Sequence, residues 1–106
     1  MYQEDYLLRM IQRLAEAIAG WRDRGEAAQQ AAVDQALQAA TGLSLPTLDV
    51  LPASALLAMA RNNADDELVK QRIRAIVDAL EAWTAIDPEG APPRRDKAKA
   101  LRDHIH

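Results

Sequence analysis

Three groups of residues are of the types that chemistry uses. The first is Asp65-Asp66-Glu67. A run of acids invites a hard cation, which takes several oxygens converging on one point. Consecutive side chains on a helix diverge, so these three do not converge. They read as first-turn charges placed where a helix dipole favours negative charge. The second group is His104 and His106, two residues apart near the end of the sequence. Paired metal-binding histidines on a helix stand four apart, on one face. Two apart they do not share a face, and no metal site is expected. The third is the basic run Arg94, Arg95, Lys97, Lys99 and Arg102, broken by Asp96 and Asp103. A nucleic-acid reader adds stacking aromatics or a recognition helix, and neither stands here. The run reads as a solvated helix face. An acidic protein partner would suit its charge, but nothing else in the sequence asks for one.

Aromatic residues are scarce: Tyr2, Tyr6, Trp21 and Trp83 make up 4% of the chain, and there is no Phe. Such residues are enriched in binding hot spots. In a chain this poor in them, core packing is their first use. There is no Gly-rich phosphate loop, no Ser-His-Asp set on a strand framework, and no pair of carboxylates with a pocket signal. A non-enzymatic protein without a cofactor is expected.

Composition narrows the class further. A length of 106 residues suits one domain with one core. Hydrophobic residues make up 49%, too many for a disordered chain. The core must be aliphatic, and the many alanines favour helices that approach closely. Net charge is −3. Residues 1–53 carry four basic and seven acidic side chains, and residues 54–106 carry nine of each. Neither half is a basic field, so nucleic acid is not an expected partner. The absence of cysteine fits a reducing compartment. The acidic start Met1-Tyr2-Gln3-Glu4-Asp5-Tyr6 is no signal peptide. The longest apolar uncharged run, Val50 to Ala60, is far short of the ~20 residues that span a bilayer, and it contains Pro52. A soluble cytoplasmic protein is expected, with no membrane partner.

The elements that must position these residues are helical. The clearest runs from Asn63 to Asp87. Leu68, Val69, Ile73, Ile76, Val77, Leu80 and Trp83 are spaced three and four apart and line one side. Asn63 is its expected cap and Pro88 its stop. A first helix is expected over Gln3–Trp21, with a stripe of Tyr6, Leu7, Met10, Ile11, Leu14, Ile18 and Trp21. A second is expected over Glu26–Ala40, with a thin stripe that includes Val33 and Leu37 and with Gly42 as its left-handed cap. A short loop makes these two an antiparallel hairpin spanning residues 3–41. Leu43 to Leu51 reads as an irregular or short-helical, largely buried crossover between Pro46 and Pro52. A short helix follows over Pro52–Arg61, with Pro52 at its first position. The last helix, Pro93 to Ile105, offers only Ala98, Leu101 and Ile105 to a core, and is expected to be the least stable element.

The stretch Asp5-Tyr6-Leu7-Leu8-Arg9-Met10-Ile11-Gln12-Arg13-Leu14 resembles the opening of an uncharacterised bacterial family of small all-helical proteins. Ala36-Leu37 and Gly42-Leu43 resemble that family's second helix and the step after it. Ile76 to Ile105 resembles a tetratricopeptide-type helix pair in outline, except that Trp83 stands where a standard repeat favours a small residue. The resemblance implies no catalytic residues.

The expected fold is therefore a single all-α domain of about five helices over residues 1–106. The N-terminal hairpin packs on a C-terminal tetratricopeptide-like pair over residues 63–106, through the crossover and short helix of residues 43–61. Leu45, Leu48, Leu51, Leu56, Leu57 and Met59 are more apolar surface than a linker and a short helix readily hide. They are the expected interaction surface, for a partner helix or for a second copy in a homodimer. The expected function is a protein–protein interaction module. A small-molecule or regulatory binding protein with a pocket between helices is the second reading.

Overall fold

The cap of the long central helix stands two residues later than its first polar residue suggests. Asp65 is its cap, accepting the Leu68 N–H at 2.8 Å. The expected cap, Asn63, lies outside the described residues. The computed structural model describes residues 2–62 and 64–105, with side chains from residue 6 onward. Among these, six α-helices and one 3-10 turn form an all-α fold with no strand. The helices are α1 (Tyr2–Arg24), α2 (Ala27–Thr41), α3 (Leu45–Val50), α4 (Ala53–Arg61), α5 (Asp66–Ile86) and α6 (Ala91–Arg102), with the 3-10 turn Pro88–Gly90 between the last two. None is long and apolar enough to cross a membrane.

Local chemistry sets the ends. The first helix passes the expected stop at Trp21 and runs to Arg24. Gly25, at φ 65°, ends it with its N–H on the Trp21 carbonyl. Gly42, at φ 77°, closes α2 in the same way on Gln38, as expected for a left-handed cap. The crossover condenses into α3 because Ser44 caps it: its hydroxyl accepts the Thr47 N–H. Pro46 lies in the first turn, where a missing N–H costs nothing. Pro52 is the residue before α4 rather than its first helical one. The last helix begins at Ala91, two residues early, because Pro92 and Pro93 also fit a first turn.

The middle of the bundle is α5. Its buried face includes the expected Leu68, Ile73, Ile76, Val77 and Leu80, and it is widened by Ala75, Ala79 and Ala82. A helix that is apolar around so much of its circumference is enclosed by others. α1 and α2 form the expected antiparallel hairpin, and α1 runs parallel to α5. Leu8 lies beside Leu68 at one end, and Trp21 packs against Trp83 at the other, ring centroids 6.3 Å apart. α6 returns antiparallel along α5, with Arg94 over Trp83 and Arg102 paired to Glu81. α4 packs on both. Arg72 joins α5 to the end of α4, donating to the Ala60 and Asn62 carbonyls at 3.2 and 2.9 Å. Those are the carbonyls a helix end leaves without partners. One cluster of buried side chains runs through all six helices.

Candidate functional site

The six leucine and methionine positions of the expected surface are not a surface. Leu45, Leu48 and Leu56 are 2% exposed or less, and Leu57 is 8% exposed. Leu51 is half-buried, and only Met59, at 41%, is exposed. The reason is where α3 lies. The Leu45 N–H is held by Asp34 of α2 at 2.8 Å, and the Leu48 and Asp49 carbonyls accept from Lys97 of α6. α3 thus bridges α2 and α6 and carries its leucines beneath them. The large apolar residues that do stay exposed are scattered: Tyr6, Leu8, Val50 and Met59. The side chain of Tyr2 and all of His106 lie outside the described residues.

The basic run divides in two. Arg94 is not solvated; it is 6% exposed. Its Nε and one terminal nitrogen donate to the two Asp49 carboxylate oxygens, both at 2.9 Å, and the other nitrogen donates to Asp87 at 3.1 Å. Its guanidinium carbon lies 3.7 Å from the Trp83 ring centroid. Gly90 makes this possible, because a Cβ there would stand 2.7 Å from the guanidinium. The hydrogen bonds from Arg94 hold the Asp49 carboxyl below its ordinary range, against the opposing effect of burial. They raise Arg94 in turn. The cluster is a clamp joining α3, α5 and α6. A signal for it was present in the sequence: Ala91, Arg94, Ala98 and Leu101 are spaced three, four and three, so Arg94 stands on the apolar stripe itself.

Lys97 is likewise committed, to the α3 carbonyls; the remaining cations, Arg95, Lys99 and Arg102, are spaced four and three and share another face of α6. They line a groove of about 510 Å³ against α5, with Glu81, Thr84, Ala98 and Asp103. Ala98 is buried. Glu81 pairs with Arg102 and, at 3.7 Å, with Arg22 of α1. Thr84 is turned back on its own helix, donating to the Leu80 carbonyl. Arg95 and Lys99 have no ion-pair partner among the described residues. Next to the groove, desolvation raises the Asp78 carboxyl, while the charges of Arg22, Arg102 and Arg74 oppose the shift.

A second cavity, of about 350 Å³, opens between α4, α5 and the residues after α6, lined by Leu57, Arg61, Ala64, Asp66, Val69, Lys70, Ile73 and His104. The acidic run does not gather there as a group. Asp65 is committed to its cap, and Glu67 accepts from Gln71 at 3.1 Å. No family model, curated protein or solved structure matches this chain.

Proposed function

We propose that the chain is a non-enzymatic protein–protein interaction module of the bacterial cytoplasm, and that the α5–α6 groove receives an acidic segment of its partner. One observation carries this reading: Arg95, Lys99 and Arg102 are aligned along a groove floored by a small apolar residue, and two of them are unpaired among the described residues. Carboxylates of an incoming segment would meet Arg95 and Lys99, and an apolar side chain between them would rest on Ala98. Three cations beside Glu81 and Asp103 are too few, and too mixed with acids, for a phosphate backbone. The N-terminal family resemblance brings no activity to this reading.

The test is fluorescence anisotropy with a labelled peptide of repeated Glu and Leu. Binding is expected to weaken as salt rises, since exposed charges are screened. The double reversal Arg95→Glu/Lys99→Glu is expected to weaken it by about tenfold or more, with an unchanged circular dichroism spectrum. Unchanged affinity in that variant would overturn the reading, as would tighter binding of a single-stranded oligonucleotide. Light scattering over a concentration series separates a partner protein from a second copy of this chain.

A further inference from the structure

We propose that the cavity between α4, α5 and the segment after α6 binds a small monocarboxylate with an apolar chain. The cavity has an apolar floor and a cationic rim. Leu57, 8% exposed, and Ile73, 1% exposed, close its base beside Val69. Arg61 stands one turn beyond Leu57 on α4, and Lys70 stands three residues before Ile73 on α5. His104 faces both helices from beyond α6. Arg61 and Lys70 have no ion-pair partner among the described residues. Asp66 is the single acid of the lining, so two fixed positive charges face one negative charge. That surplus of one suits a monoanion. An Arg guanidinium matches a carboxylate with two parallel hydrogen bonds, and the apolar chain of the ligand would displace water from Val69 and the exposed edge of Leu57. About 350 Å³ lies at the small end of the ~300–1,000 Å³ range of ligand pockets, which excludes a dinucleotide-sized group. The cavity shares no lining residue with the α5–α6 groove, so this site stands independently of the partner reading.

The experiment is a titration of the full chain with octanoate, followed by its amide NMR spectrum. Octanol supplies the chain without the charge, and acetate supplies the charge without the chain. Saturable shifts are expected at Leu57, Val69, Lys70 and Ile73, with octanoate binding about tenfold or more tightly than either comparator. Arg61→Gln/Lys70→Gln is expected to lower octanoate affinity by a similar factor while keeping a dispersed spectrum. Arg95→Glu/Lys99→Glu is expected to leave it unchanged. Octanol binding as tightly as octanoate would overturn the proposal, because the cavity would then be an apolar slot that reads no charge. Shifts confined to other residues would overturn it, as would full affinity in the Arg61/Lys70 variant.

Discussion

Arg94 lies three residues after Ala91 and four before Ala98, so the turn of α6 carries its charge into the core. An isolated guanidinium there would be strongly destabilising. The bidentate pairing with Asp49, the bond to Asp87 and the Trp83 face offset that cost. Arg94→Met keeps an apolar stem and removes all three. It is expected to cost about 2–4 kcal/mol, from lost charge-assisted bonds and stacking. Gly90→Ala is expected to act through the same side chain, because its Cβ would occupy the space of the guanidinium. The two losses should therefore not add. In urea melts the double variant is expected to fall short of the summed single losses by roughly 1 kcal/mol or more. Strict additivity would mean that residue 90 and Arg94 act separately. Trp83 emission offers a second readout, since it should change in both single variants.

At the scale of elements, α6 differs most from its reading in the sequence. Three modest apolar positions made it read as the least stable element. It also buries Ala91 and Arg94, and Lys97 supplies donors to the carbonyls that end α3. Removing residues 91–106 would uncover Trp83 and leave those carbonyls to water. The truncated chain is expected to lose its sigmoidal urea transition and its near-ultraviolet dichroism. A cooperative melt within about 2 kcal/mol of the full chain would show that the bundle folds without α6. What was legible in the sequence was what local periodicity encodes. The stripe of α5, the hairpin of α1 and α2, the Gly42 cap and the stop at Pro88 all follow from neighbours within a few residues. The placement of α3 rests instead on Arg94 to Asp49 and Lys97 to Leu48, pairs separated by 45 and 49 positions. Such pairs leave no periodic trace. Without them, Leu45 and Leu48 looked like surplus apolar surface. The groove cations were visible as a run, but its division into a buried Arg94, a Lys97 committed to α3 and an exposed Arg95–Lys99–Arg102 face needed the stripe of α6 to be drawn through Arg94.

At the scale of the whole molecule, two carboxylates give the stability opposite dependences on pH. Asp49 is held below its ordinary value, chiefly by the hydrogen bonds from Arg94. Its contribution is present above the unfolded value, near ~3.9, and is lost as pH falls through the folded one. Asp78 is raised, chiefly by desolvation. The folded chain holds that proton to higher pH than the unfolded chain does, so Asp78 lowers stability as pH rises from the ordinary value through the raised one. On acidification, Asp78 therefore takes up its proton first, with a gain, and Asp49 follows, with a loss. At pH ~7 the Asp49→Asn variant is expected to melt below the wild type and Asp78→Asn above it. The Asp78→Asn difference should close as pH falls through the raised value, where the wild-type residue is already neutral. The Asp49→Asn difference should persist to lower pH and close only as pH falls through the lowered value, where Asp49 itself is protonated. Thermal melts of the three proteins between pH ~7 and ~3 check this order. Parallel curves would show that neither carboxylate is coupled to folding. Closure in the reverse order would mean that the Arg94 clamp opens before Asp78 is neutralised, and Asp49 would then not be held by Arg94 in solution.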